Sequence, residues 1–199
     1  MANTVPSDAA TYKGLLSAAR ELFARKGYSG TSVREIVAAA DVTKPVLYYY
    51  FRNKEGLYLE LFREPFAKLT AFLDEVSNGR GSATKRLRQF CRRLHSLFCE
   101  HVELLNLLQG SPPGTPSLDI NRYHKRLWRT LRHLIHEAIE EGAFEKGNAE
   151  EKAVLILGAV YMASHGRLRD RKAVKHGKRL PSILNVIFKL ESRGIKKRA

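Results

Sequence analysis

The segment Ser32–Lys54, SVREIVAAADVTKPVLYYYFRNK, contains two short helical patterns separated by a break. Ser32 followed by Glu35 predicts a capping box at the start of the first helix. Thr43 predicts the N-cap of the second helix, and Pro45 fits its first turn, where a missing N–H costs no hydrogen bond. Two short helices joined by a tight turn are typical of a helix-turn-helix, whose second helix fits the major groove of DNA. The same spacing also fits a helical hairpin inside an all-α core.

A wider set of residues around this segment follows a familiar spacing. Its members are Gly27-Tyr28, Thr31-Ser32, Glu35-Ile36, Ala40, Val42-Thr43, Leu47-Tyr48, Tyr50-Phe51, Lys54-Glu55 and Leu57. This pattern resembles the signature of the tetracycline-repressor (TetR) family of bacterial one-component transcription regulators. Two positions depart from it: Asp41 and Pro45 stand where the family usually or often has Gly. Asp tolerates left-handed backbone geometry better than most residues, so the turn can survive.

The resemblance implies an all-α fold with two domains. Residues 1–54 correspond to a three-helix, helix-turn-helix DNA-binding domain, and residues 55–199 to an effector-binding and dimerisation domain. It also implies a homodimer whose two heads each bind one half of a palindromic operator in double-stranded DNA. A small-molecule effector bound in the body then shifts the population of head spacings and releases the DNA, which makes a repressor the expected type.

Apolar periodicity predicts helices along most of the chain. Their expected ranges are 8–26, 53–76, 82–99, 101–109, 118–141, 148–166 and 181–192. Pro65 should kink the second of these helices or divide it in two near Glu64. The segment 110–116 is rich in Pro and Gly, which predicts a surface loop rather than a helix. This loop is a candidate lid over an effector site. The helix over 148–166 is apolar nearly all round, which indicates burial on more than one side; the resemblance implies that it forms the dimer interface with 181–192.

The net charge of the chain is strongly positive. There are 35 Lys and Arg against 20 Asp and Glu, which gives +15 at pH 7, and such a field favours polyanionic partners. Residues 1–54 carry eight basic against four acidic residues, whereas 160–199 carry twelve against two. The excess lies mainly in 80–93 and 167–179. Three explanations are open for this excess. It could be a solvent-exposed face, it could attract an anionic effector such as an acyl-CoA or a nucleotide, or it could add DNA contacts.

Several functional classes lack their sequence signals. No apolar run approaches the ~18 residues of a membrane helix, and the N-terminus has no apolar signal segment, so we expect a cytoplasmic protein with no membrane partner. The chain shows no Gly-rich phosphate loop, HExxH helix or nucleophile elbow, so we expect no enzyme, catalytic residue, metal or cofactor. Cys91, His95 and Cys99 share one predicted helix face, where they are either a metal or thiol sensor or inert packing.

The residues predicted to contact DNA project from the helix-turn-helix and its flanks. They are Arg34, Thr43, Lys44, Pro45, Tyr48, Tyr49 and Lys54. Lys44 can donate to guanine O6 and N7. Lys54 resembles the family's phosphate anchor, where its charge and a helix N-terminus act on one phosphate. A solvated surface side chain is the alternative for each.

The effector site is less defined than the DNA contacts. The candidates are Phe66, Phe98, Leu104, Leu108, Tyr123, Trp128 and Tyr161, which the sequence does not separate from ordinary core residues. Two other functions also remain. The chain could be a nonspecific nucleic-acid-binding protein that relies on its charge, or a regulator that senses a metal or a thiol modification.

Overall fold

A computed structural model describes residues 8–109, 116, 119–165 and 179–196. These residues form α-helices, and no strand occurs among them. The helices are α1 (Asp8–Lys26), α2 (Val33–Ala39), α3 (Lys44–Phe51), α4 (Lys54–Ser77), α5 (Ala83–Glu100), α6 (Val102–Gln109), α7 (Ile120–Glu140), α8 (Ala149–His165) and α9 (Arg179–Lys196). The predicted all-α fold is therefore confirmed.

The described residues cluster into two compact units, and the boundary between them falls inside α4, after Phe66. We call residues 8–66 with 103–109 and 116 the head unit. Residues 67–102, 119–165 and 179–196 are the body unit.

The head unit has a core formed by α1, α2, α3, α6 and the first turns of α4. Its fully buried side chains include Leu15, Phe23, Ile36, Leu47 and Leu57. Gly27 ends α1 with a φ of +73°, a left-handed conformation that glycine adopts without a Cβ clash. The chain can therefore reverse direction before α2.

The body unit is built around α5, which lies against α7, α8 and α9. Leu87, Phe90 and Leu94 of α5 are fully buried together with Leu131 and Leu134 of α7. At the end of α7, both carboxylate oxygens of Glu141 accept the backbone N–H of Ala83, at 2.8 and 2.9 Å. A carboxylate at a helix N-terminus complements the helix dipole, so this contact joins the ends of α7 and α5.

Three predictions require correction. The division of the long helix near Glu64 is wrong, because α4 continues through Pro65. The last helix begins at Arg179 rather than at residue 181, since proline is tolerated within a first helical turn. A solvated face as the explanation of the basic run 80–93 does not hold for Arg86, which is only 8% exposed and donates to Glu137 at 2.7 Å.

Some predictions lie wholly or mostly outside the described residues. These are the lid over 110–116 and the basic run over 167–179. Within the described ranges, no helix is both long enough and apolar enough to cross a bilayer.

Candidate nucleic-acid interface

The start of α2 is fixed by a reciprocal capping box. The Ser32 hydroxyl accepts the backbone N–H of Glu35 at 3.2 Å, and the Glu35 carboxylate accepts the backbone N–H of Ser32 at 2.9 Å. Lys26 also donates to Glu35, at 2.5 Å. These bonds favour the ionised carboxylate and lower the pKa of Glu35 from 4.5 to about 2, with the Lys26 bond as the largest cause. The predicted cap is confirmed.

The turn between α2 and α3 uses a left-handed residue that is not glycine. Asp41 has a φ of 52°, a conformation that Asp adopts more readily than most residues. The backbone N–H of Val42 donates to the carbonyl of Val37 at 2.9 Å and closes the turn. Thr43 follows in extended geometry as the N-cap of α3, although its side chain makes no capping bond. The backbone therefore forms a helix-turn-helix without the expected glycine.

The two faces of α3 differ sharply in burial. Leu47 and Phe51 are buried and hold the helix on the head-unit core. Lys44 and Pro45 are exposed on the first turn. Tyr48 is 45% exposed and Tyr49 is 76% exposed. These predicted contact residues thus form one solvent-facing surface on a helix whose other face is anchored.

Tyr50 is held by α1 and does not share the role of its two neighbours. Its hydroxyl donates to the Asp8 carboxylate and lies 3.1 Å from the Asp8 carbonyl oxygen. The carboxylate bond raises the pKa of Tyr50 to about 12. The Tyr49 ring meets the Tyr50 ring edge-on, with centroids 5.0 Å apart. Tyr50 therefore fixes α3 against α1 and supports the position of Tyr49.

Lys54 makes internal contacts that its sequence position does not reveal. Its Nζ donates to the carbonyls of Tyr28 and Thr31, both at 3.0 Å, and lies 4.1 Å from the centroid of the Tyr28 ring. Two of its three N–H donors are thus used to hold the connection between α1 and α2. The role of Lys54 as a phosphate anchor remains a prediction.

Two further cations of the helix-turn-helix segment are exposed. Arg34, a predicted contact, is exposed on α2. Arg52 was not predicted; it is exposed at the C-cap of α3, with a φ of 62°. The sequence did not indicate Arg52, because arginine has no particular preference for the left-handed conformation that it adopts at this helix end.

The predicted effector residues are divided between the two units. Leu104 is buried in the head-unit core, with Phe66 and Leu108 against the same cluster. The other four, Phe98, Tyr123, Trp128 and Tyr161, are half-buried in the body unit. There, a cavity of about 320 Å³ is lined by Lys68, Ala71, Phe72, Arg93, Ser96, Leu97 and Glu100. None of these seven was predicted, and the assignment of the effector pocket remains a prediction.

The cysteines of α5 differ in environment. Burial raises the pKa of the Cys91 thiol to about 12, which fits packing rather than reactivity. Cys99 is half-buried, and its Sγ lies 3.6 Å from Nε2 of His95. The part of the chain that the structure describes contains no group of three potential metal ligands from His, Cys, Asp and Glu.

Comparison with known proteins identifies relatives of this chain. A family profile described as "Bacterial regulatory proteins, tetR family" matches residues 15–61, which include the capping box, the turn and α3. The "Fatty acid metabolism regulator protein" of Bacillus subtilis (strain 168) is 27% identical over 141 residues, which are 68% of this chain and 72% of that protein. Two other curated relatives match over only 38% and 36% of their own lengths.

Solved structures share the fold over most of the chain. The MbdR regulator from Azoarcus sp. CIB has a TM-score of 0.74 and 21% identity, and the similarity covers 89% of this chain and 97% of that chain. The transcriptional regulator FadR from Bacillus subtilis, in complex with stearoyl-CoA, has a TM-score of 0.64 and 23% identity, with coverage of 92% and 98%.

Proposed function

Because the chain is a transcriptional regulator of the tetR family of bacterial regulatory proteins, we propose that it binds a palindromic operator in double-stranded DNA and represses transcription. Residues 1–54 form the DNA-binding domain in this proposal. Residues 55–199 bind a small-molecule effector and form the homodimer. Effector binding shifts the dimer toward states that fit the operator poorly, and the DNA is released.

The observation that carries this proposal is the solvent-facing surface of α3. Lys44 donates to a guanine edge, while Tyr48 and Tyr49 offer hydroxyls to phosphate or rings to thymine methyls. Thr43 and Pro45 complete the base-facing end of the helix, and Arg34 and Lys54 bind phosphate. The buried Leu47 and Phe51 keep this surface in a fixed orientation, which sequence recognition requires.

The experiment is selection of bound fragments from a library of genomic and random duplexes. We expect enrichment of a palindrome whose half-site centres are about one helical turn or somewhat more apart. Lys44→Gln should relax the selected sequence. Equal recovery of random and genomic fragments would instead identify a nonspecific nucleic-acid-binding protein.

The exposed apolar face of α8 supports the proposed homodimer. Val154, Leu155 and Met162 are each more than half exposed, although they are large apolar residues. Gly158 lies among them, and a Cβ at this position would meet no atom within 4 Å. Val186 of α9 is exposed as well. A partner subunit's equivalent helices would bury this surface and could approach closely at Gly158.

Sedimentation velocity tests the dimer directly. Met162→Glu places a charge in the proposed interface and should convert the dimer to monomer. The control, Lys152→Glu, places a glutamate at a half-buried residue of the same helix and should leave a dimer. A monomer in the unchanged protein at micromolar concentration would contradict this assignment.

The proposed effector is an anionic acyl compound. The support is the 27% identity to a fatty acid metabolism regulator and the shared fold with a regulator bound to stearoyl-CoA. Trp128 is the only tryptophan of the chain and is half-buried in the body unit, so its emission offers a direct probe. Stearoyl-CoA should change that emission and release bound operator, whereas free coenzyme A should do neither.

A further inference from the structure

Two helices of the body unit carry charges of a single sign over long stretches. Residues 76–99, which include most of α5, contain six Lys and Arg and no acid. Residues 120–136 of α7 contain five Lys and Arg, three His and no acid. In contrast, α1, α4 and α8 mix both signs. Soluble surfaces normally intersperse the two signs, so these stretches require a physical account.

Most cations of α5 are held within the fold. Arg86 pairs with Glu137 at 2.7 Å, and Arg93 pairs with a carboxylate of α4. The guanidinium of Arg88 lies 4.1 Å from the centroid of the Phe188 ring. Such contacts stabilise the packing of α5 against its neighbours. They therefore explain much of its basic composition without a partner.

The basic residues of α7 divide differently. Arg126 pairs with Asp74, and Arg132 pairs with Glu150 at 3.0 Å. Arg122, Lys125 and Arg129 are exposed, and none of them forms an ion pair with any residue that the structure describes. We call these three side chains the basic ridge. Packing among the described residues therefore does not account for their charge.

The helical repeat places the basic ridge along one line. At 100° per residue, Arg122, Lys125 and Arg129 lie within about 60° of one another around the axis and span about 10 Å along it. The buried side of α7 holds the apolar residues Leu127, Leu131 and Leu134. The ridge is therefore a row of exposed cations on a helix whose other side is buried.

We propose that the basic ridge is a second DNA-binding surface, which contacts the phosphate backbone of double-stranded DNA without reading its sequence. This inference rests on the proposed function, in which double-stranded DNA is the polyanion that the chain binds. Residues 1–66 carry nine Lys and Arg against seven Asp and Glu. The field that attracts a duplex therefore comes mainly from the remainder of the chain. Arg and Lys donate charge-assisted hydrogen bonds to phosphate oxygens, which suits this row of side chains.

The test measures how the affinity of the full chain for a random-sequence duplex depends on salt. Fluorescence anisotropy between about 50 and 200 mM salt gives the slope of log K against log salt. The ridge variant is R122Q/K125Q/R129Q. The control variant, K85Q/R92Q/K146Q, removes three exposed cations elsewhere in the body unit and changes the net charge equally. A third variant, R122K/R129K, retains the charge of the ridge.

In the ridge variant, we expect the magnitude of the slope of log K against log salt to fall by about 0.9 for each lost phosphate contact. For three lost contacts the decrease is about 2.7. The control variant should lose less than one unit, and the charge-retaining variant should keep the slope of the unchanged protein. Trp128, which lies in α7, reports whether that helix remains folded in each variant. Equal losses in the ridge and control variants would overturn the proposal, because net charge alone would then explain them.

The failure of this inference is distinguishable from that of the proposed function. If the unchanged protein bound no duplex, the proposed function would fail and the ridge with it. If it bound DNA but the ridge variant kept its slope, only the ridge would fail. Tighter ridge-dependent binding of a double-stranded RNA of the same length would assign the ridge to RNA and overturn the DNA assignment.

Discussion

The exposed faces of α3 and α7 differ in charge, although both helices are anchored by buried leucines. The face of α3 carries Lys44, Pro45 and two tyrosines, whereas that of α7 carries the three cations of the basic ridge. Base edges are read by a few shaped polar and apolar contacts, while phosphates are held by charge. Under the two proposals, sequence recognition and electrostatic attraction are therefore separate properties, the first assigned to the head unit and the second to the body unit.

The largest effects should come from the cores that hold these two faces. Leu47 of α3 and Leu134 of α7 are both fully buried. Leu47→Ala and Leu134→Ala should each lower the free energy of unfolding by about 2–5 kcal/mol, because each leaves a cavity. Only Leu47→Ala should abolish operator binding at temperatures where the helices persist. Urea unfolding followed by circular dichroism, together with anisotropy on the selected operator, measures both.

Trp128 emission distinguishes the two variants, because Trp128 lies in the body unit. Leu134→Ala should shift the Trp128 unfolding transition to lower urea, whereas Leu47→Ala should leave it nearly unchanged. If both variants shifted that transition equally, the head and body units would unfold as one cooperative unit.

Lys54→Gln should combine a structural loss with a binding loss. Charged donors to two carbonyls are removed, which should lower the free energy of unfolding by about 1.5–3 kcal/mol. If Lys54 also binds phosphate, affinity for every sequence falls and the salt slope decreases by about 0.9. Titrations well below the unfolding temperature separate the two effects. An unchanged slope would restrict Lys54 to its structural role.

Lys44→Gln and Lys125→Gln remove the same charge from the two faces under comparison. Lys44→Gln should reduce the preference for operator over random duplex by about 1–3 kcal/mol, because a donor to a base edge is lost. Lys125→Gln should leave that preference intact and lower affinity for both duplexes alike. Competition anisotropy measures the ratio. An equal loss of preference in both variants would contradict the separation of roles.

The local features of the head unit could be predicted because each depends on neighbours in sequence. The capping box needs only Ser32 and Glu35, and the left-handed turn needs a residue such as Asp41. Alternation of burial along α3 follows from the helical period, so the exposure of Tyr48 and Tyr49 was predictable.

Contacts between distant segments could not be predicted in the same way. The bonds from Lys54 to carbonyls near residue 30 depend on how α1 and α4 pack. The burial of Arg86 depends on Glu137, which lies 51 positions further along the chain. A run of cations has the same appearance in sequence whether its members are paired or free. Only the fold separates Arg126, which pairs with Asp74, from Arg129, which forms no ion pair within the described part of the chain.

The smallest expected effect concerns the cap that positions the helix-turn-helix. Ser32→Ala removes an N-cap oxygen and should cost about 1 kcal/mol of stability. The partner of Ser32 adds a pH dependence. The pKa of Glu35 is lowered in the folded protein from 4.5 to about 2, so its carboxylate favours the folded state above pH 4.5, and this contribution is lost as the pH falls toward 2.

Glu100 of α5 supplies the matched case in the body unit, because the bond from Lys68 lowers its pKa in the same direction. We expect Glu35→Gln to remove part of the acid sensitivity of operator binding, since its capping box fixes the start of α2, which leads through the turn into α3. Glu100→Gln should leave that sensitivity unchanged and act only on the acid unfolding followed by Trp128. Binding and Trp128 emission measured from pH 6 to 3 test both. If the two variants changed the binding profile alike, the capping box would have no specific part in holding α3 against DNA.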